Sequence, residues 1–298
     1  LATLLALFLL MWGSIAVLLS LAAKNANQQS IDASMRAVSG YLAQRTDELQ
    51  SQVKIYAYWE DGIDHLAVNY VDRTWAQREM GPDLLDPVGI SLWFTVNPAT
   101  KPVFVRRDNE VVPSGRLDIS EKTLSQLRLQ SIDQMGPPPE PVSAYAIVDG
   151  TYYIISAAAL VIESRPVARH QAWILAFGRP LHNLLQDIAT DQGIDFSVSD
   201  VPATESPNRL SLPIRTTDGT QAWIQWDTEL VGEQYLRYIS PWVGALFVLT
   251  LLLCGFLLLR VAEMYQVLRL SENRFRDAIE ALPDGFVIYD REDRLAAW

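Results

Sequence analysis

Two long apolar runs and two heptad-like stripes set the pattern of this chain. From Pro241 to Leu259 no charge interrupts the apolar residues. At about 1.5 Å rise per residue, roughly nineteen residues span the roughly 30 Å hydrocarbon core of a bilayer. This predicts a membrane helix over 239–259. Beyond Arg260, the residues Val261, Met264, Leu268, Ser271, Phe275, Ala278 and Leu282 alternate spacings of three and four, the seam of a coiled coil. Neither Pro nor Gly occurs between Gly255 and Pro283. Span and coiled-coil segment (260–282) therefore read as one rod.

Residues 1–23 are also uncharged and apolar. The stretch exceeds the apolar core of a signal peptide, about 7–15 residues, and Ala22-Ala23 makes a poor cleavage site. An uncleaved first membrane helix is expected. After Lys24 the positions Ile31, Met35, Val38, Leu42, Arg45, Leu49, Gln52, Tyr56, Trp59 and Ile63 again step by four and three. A long helix over 24–67, reaching about His65, follows. Its stripe suits either a second copy of the chain or the helix's own domain.

From 83 to 229 the pattern changes to strands and hairpins. Ile90–Val96 is β-rich, ends at Asn97-Pro98, and is followed by Pro102–Val105. Glu121–Ile132 predicts a short helix, and Gly136-Pro137-Pro138-Pro139 a stiff connection. Tyr145–Val148 and Tyr152–Ala159 flank Asp149-Gly150, a tight-turn signal. Ala172–Phe177 predicts a further strand. Pro180 opens a helix through Leu181, Leu184, Leu185 and Ile188 that Gly193 closes. Phe196–Val201, Arg209–Thr216 and Gln221–Asp227 complete the strands. The fold class is α+β, with membrane helices flanking a mixed α/β, PAS-like domain over 24–238 whose sheet is mostly antiparallel.

Charge then sets orientation and excludes some functions. The net charge of -11 argues against nucleic acid as a partner. The lone cysteine, Cys254, lies in the second apolar run, so neither an internal disulfide nor a cysteine metal site is expected. Arg260, Arg269, Arg274 and Arg276 follow that run, whereas Asp227, Glu229 and Glu233 precede it, with Arg237 as the one positive charge close by. Positive residues favour the cytoplasm, so 24–238 is expected outside, in a periplasm or its equivalent. The chain begins with Leu and stops at Trp298 within an apparent strand, which suggests an internal piece of a larger protein.

Candidate chemistry is densest at Tyr56-Ala57-Tyr58-Trp59-Glu60-Asp61. On a continuous helix Tyr56, Trp59 and Ile63 share one face, and Tyr58, Asp61 and His65 roughly the opposite one. Aromatic walls with placed carboxylates suit a polar or cationic small molecule; alternatively the aromatics are core and the acids solvated. Trp93, Tyr145 and Tyr153 are the further aromatic candidates in the β-rich part. The sequence carries no Gly-rich phosphate loop, Gly-x-Ser-x-Gly or His-Glu-x-x-His. His65, His170 and His182 are scattered, and Asp83 and Asp86 sit among Gly and Pro as solvated or capping acids. No catalytic residue, metal site or cofactor is assigned.

The run Tyr58-Trp59-Glu60-Asp61 after a membrane helix and before a β-rich domain resembles the aromatic-Trp-Asp-Asp motif of class-four CHASE extracellular sensory domains, with Glu60 where an Asp is usual. Val148–Tyr153 and Ala176–Leu181 are also similar. The resemblance covers about 53–185 and implies a ligand-sensing module with Tyr58, Trp59 and Asp61 at its site, to which His65 is added from the helix face it would share with Tyr58 and Asp61. Glu272–Asp290 is similar to the opening of a cytoplasmic PAS domain, so 272–298 would be its truncated start. Together these resemblances imply a membrane receptor that acts as a homodimer, detects a periplasmic small molecule, and signals through the coiled coil. In receptors with such front ends the output is a histidine kinase most often, then a diguanylate cyclase or phosphodiesterase. A membrane-anchored binding protein or enzyme with no signalling role is the competing class.

Overall fold

The computed structural model describes residues 2–66, 72–80, 89–108, 110–162, 164, 167–203, 206, 208–280, 288–289 and 295–297. Its contacts divide the chain into two compact units, 1–24 with 232–298, and 25–231.

In the first unit, Ala2–Ala57 (α1) contributes its apolar start and Val231–Glu280 (α6) most of its length. Both helices are long and apolar enough to cross a membrane. Phe8 and Trp12 meet Phe247, with ring centroids 5.6 and 5.1 Å apart. The expected span begins at Ile239, yet α6 starts at Val231 and carries Pro241 inside it. Pro241 lies beyond the first turn, where its missing N–H would cost nothing, so it removes the bond that would otherwise reach the Arg237 carbonyl. In α6 the seam positions Val261, Met264, Leu268 and Phe275 are exposed, as are Ser271 and Ala278. Leu282 lies outside the described residues, as do 281–287, 290–294 and 298 of the PAS-like opening. Ile288–Tyr289 (β10) and Leu295–Ala297 (β11), both within it, pair antiparallel.

The second unit holds two antiparallel sheets, where the sequence pattern predicts one. Six strands, Leu92–Val96 (β1), Pro102–Arg107 (β2), Glu110–Val112 (β3), Val142–Val148 (β4), Thr151–Ala159 (β5) and Ile174–Pro180 (β6), are ordered β3-β2-β1-β6-β5-β4. Phe196–Ser199 (β7), Arg209–Arg215 (β8) and Gln221–Asp227 (β9) form the smaller sheet, β7-β9-β8. Among the described residues, one parallel bridge, Tyr145 to Thr216, joins the edge of one to the end of the other. The signalled turns appear where expected. Asp149 and Gly150 both take positive φ, 48° and 74°, as a type I′ turn requires. Gly193 closes Leu181–Gln192 (α5) in the left-handed conformation at φ 66°.

The large sheet is covered on both faces, which explains its near-continuous apolar strands. Alternate residues of each strand divide between two cores. Trp93, Phe104, Ile154, Leu175 and Phe177 face α1 and α5, together with Leu49, Val53, Leu181 and Leu184. Leu92, Phe94, Ile155 and Ala176 face Glu121–Asp133 (α4), together with Leu124, Leu127 and Ile132. The first core continues into the small sheet through Ile214, Ile224 and Trp226, and it includes Val38 and Leu42 of α1. Trp226 Nε1 donates to Ser34 Oγ at 2.8 Å. Each such fully buried large side chain contributes about 1.5–3 kcal/mol.

This packing corrects the expected stripe. Val38, Leu42 and Leu49 are buried in the domain's own core, but further along the buried positions are Val53 and Ala57 rather than Gln52 and Tyr56. A straight helix drifts about 20° per heptad from a 3.5-residue repeat. A stripe facing a flat sheet follows 3.6, and the drift moves burial one position on. The helix is also shorter than expected: it ends at Ala57, and a separate helix, Glu60–Leu66 (α2), follows.

Candidate functional site

The break between α1 and α2 builds the site. Ala57, at the end of α1, has an otherwise orphaned carbonyl, and Val161 N–H donates to it at 3.1 Å. That bond ties the helix end to the segment leaving β5. Trp59 is non-helical, and its carbonyl accepts the Ile63 N–H at 3.0 Å. Glu60 and Asp61 occupy the first turn of α2, where carboxylates complement the helix dipole. Because the helix is broken here, the two faces expected from a continuous helix do not form.

The break turns adjacent residues in different directions. Tyr58 and Glu60 line a cleft of about 370 Å³ with Ile162 and Ser164. Ser164 Oγ donates to Glu60 Oε1 at 2.8 Å. Trp59 turns into an aromatic cluster instead. It meets Tyr56 at 5.9 Å edge-on and Trp75 at 5.1 Å, and Tyr56 meets Phe177 at 5.8 Å. Trp75 belongs to Arg73–Glu79 (α3), a helix without a sequence expectation. On its other side Trp75 stacks on His65, 4.6 Å between centroids and 10° from parallel.

His65 sits between two acids. Its Nδ1 is 3.6 Å from Asp72 Oδ2 and its Nε2 is 3.9 Å from Asp61 Oδ1. Asp72 also caps α3, accepting the N–H groups of Thr74 and Trp75 at 3.1 and 3.0 Å. The Trp75 N–H above all, then that of Thr74 and the nearby His65, hold the Asp72 carboxyl below its ordinary range.

The remaining candidates lie elsewhere. Trp93 is fully buried and stacks on Phe104 at 4.5 Å. Tyr153 is buried on the opposite face of the large sheet. Neither lines a described cleft. Tyr145 lines a second cleft, of about 470 Å³, at the edge of β4. Burial raises its phenol above the ordinary value. Sequence reasoning missed Ile162 and Ser164 beside Tyr58, and Trp75 and Gly62 beside Trp59. Ser164 reaches Glu60 across 104 residues, a separation that no local motif encodes. Among the described residues no three His, Cys, Asp or Glu are grouped to hold a metal.

The motif cleft thus offers a phenol, a carboxylate, a hydroxyl and an isobutyl-sized apolar wall, which suits holding a small polar or cationic molecule. A model of the CHASE4 domain matches residues 41–199, more than half of the chain. The chain belongs to the CHASE4 domain family. The matched CHASE4 region starts within α1, contains both the motif and the large sheet, and ends with β7. The periplasmic domain of Vibrio cholerae LuxQ is similar at 11% identity, over 70% of this chain and 98% of that one, with a TM-score of 0.37. The sensor domain of the V. cholerae histidine kinase DctB is similar at 9% identity, over 72% and 99%, with a TM-score of 0.30. No curated protein sequence matches the chain.

Proposed function

We propose that this chain is the sensing and membrane-crossing part of a two-span receptor that works as a homodimer. Its CHASE4 domain lies on the periplasmic side and its C-terminal end in the cytoplasm, as the arginines after Leu259 favour. A small polar or cationic molecule enters the cleft at Tyr58, Glu60 and Ser164. Asp61 and His65 follow on α2 but are not among the described residues that line it.

The observation that carries this reading is the continuity of α1. One helix, Ala2–Ala57, runs from an apolar membrane-length segment to the residue before the motif. A ligand that favours one arrangement of the Tyr58–Glu60 break therefore acts on the end of a helix that reaches the membrane. Such a ligand moves the equilibrium only by its differential affinity for the two arrangements. A bias of about 1–3 kcal/mol is typical of regulatory coupling.

On the cytoplasmic side, the exposed stripe Val261, Met264, Leu268 and Phe275 is the surface for the second copy. Tyr265, Val267 and Leu270 are exposed as well, so exposure alone does not select the seam; the heptad spacing does. The seam leads to the start of a PAS domain and then to an output module, a histidine kinase in the first instance and a diguanylate cyclase or phosphodiesterase in the second.

The test is a signalling assay in cells with Tyr58→Ala and Glu60→Gln receptors. Both are expected to lose the response at least tenfold while the melting temperature of the purified protein stays unchanged. A full response from both variants would overturn the assignment of the cleft.

A further inference from the structure

The second cleft, beside Tyr145, belongs neither to the motif nor to the membrane helices. Its walls come from three places: Lys122 and Gln126 on α4, Ser143 on the edge strand β4, and Arg215, Thr216 and Thr217 where β8 ends. The walls are tied together. Thr217 N–H donates to the Tyr145 carbonyl at 3.0 Å, the Thr123 and Thr217 hydroxyls are 2.6 Å apart, and Lys122 Nζ donates to the Asp218 carbonyl at 3.0 Å.

The charges in this cleft are one-sided. Lysine has three donors and Lys122 spends one on the Asp218 carbonyl, so two remain. Arg215 is exposed, and among the described residues no carboxylate pairs with it. Asp218, beside Thr217 in the chain, is within reach of the Lys122 charge, but its carboxylate and that of Glu140 have other partners. The Asp218 carboxylate takes the Thr216 hydroxyl and, at 2.9 Å, the Thr220 N–H of its own turn. Glu140 pairs with Lys54 at 2.6 Å. No carboxylate is among the described residues that line the cleft. In a chain with 35 acidic and 24 basic residues, an acid-free cleft with two such cations, amides and hydroxyls is an anion-binding arrangement.

We propose that this cleft binds a small anion through its carboxylate or phosphate groups, held between Lys122 of α4 and Arg215 of β8. The anion would fasten the turn after β8, part of the small sheet, to the helix that covers the large one. Strand β9 starts just past that turn and runs to Asp227, four residues before α6 begins. Occupancy here therefore bears on the strand that leads into the second apolar helix, independently of the motif cleft.

Calorimetric titration of the protein in nanodiscs of zwitterionic lipid, at low ionic strength, tests this with citrate and with inorganic phosphate as separate probes. Saturable binding of either is expected, and the probe that binds names the acidic group. Arg215→Gln and Lys122→Gln should each weaken it at least tenfold with unchanged melting temperature, while Tyr58→Ala leaves it unchanged. No saturable binding of either probe, binding that survives Arg215→Gln, or loss on Tyr58→Ala would each overturn the proposal.

Discussion

The indole of Trp59 covers Gly62: a Cβ at that glycine would lie 2.7 Å from Trp59 Cε3. Gly62 is buried in α2 with normal helical backbone, so its requirement is the ring above it rather than an unusual φ. In an open helix, Gly→Ala stabilises by about 0.5–1 kcal/mol. The ring outweighs that gain here, because moving it also disturbs Trp75 and Tyr56. Gly62→Ala is expected to lower the melting temperature. Gly40→Ala, in α1 with nothing near its Cβ position, should leave it unchanged or raise it. Paired thermal melts decide the point, and a stabilised Gly62→Ala would remove Trp59 from its covering role.

Adjacent motif residues should separate in a stability assay. Trp59→Ala empties a ring site shared by Tyr56, Gly62 and Trp75, and Trp93→Ala empties one inside the core. Each is expected to cost about 3–5 kcal/mol in chemical denaturation. Tyr58→Ala, at a cleft wall, should cost under about 1 kcal/mol.

Two carboxylates give the fold an acid limit. Asp72 is held down by the N–H groups of Trp75 and Thr74, and Asp218 by the hydroxyl of Thr216 and the N–H of Thr220. A depressed carboxyl stabilises the fold above its unfolded value, about 3.9, and that contribution is lost as pH falls through the lower folded value. Melting temperature should therefore fall below about pH 4. Asp72→Asn keeps a capping side chain but not the charge, so it should melt somewhat below the parent at neutral pH and lose less on acidification. An acid limb unaltered in both Asp72→Asn and Asp218→Asn would contradict the assignment.

Much of the fold was legible because its signals are local. The Asp149-Gly150 turn, the Pro180–Gly193 helix and the strand pairs beside them are each fixed by residues within a few positions. The division into two sheets was not legible, since Ile224 and Ile154 alternate in the same way and only packing tells which sheet each joins. The N-terminal stripe was misread at its far end because 3.5 and 3.6 diverge only after two heptads. At the site, the Tyr58–Asp61 run is a visible motif, but its division between a cleft and an aromatic cluster is not. No Gly or Pro announces the break after Ala57, and the Val161 N–H that meets the freed Ala57 carbonyl comes from distant sequence. Trp93 and Tyr153 carry the same residue types as a ligand wall, and only their burial separates them from one.

Coupling of the motif cleft to the exposed stripe of α6 is read out by disulfide crosslinking in membranes. With Cys254 replaced by Ser, single cysteines at Val261, Leu268 and Glu263 are compared in parent and Glu60→Gln receptors. Crosslinking at 261 and 268 is expected to be at least fivefold faster than at 263, with a changed ratio of 261 to 268 in Glu60→Gln. Equal rates at all three positions, or a profile indifferent to Glu60, would contradict it.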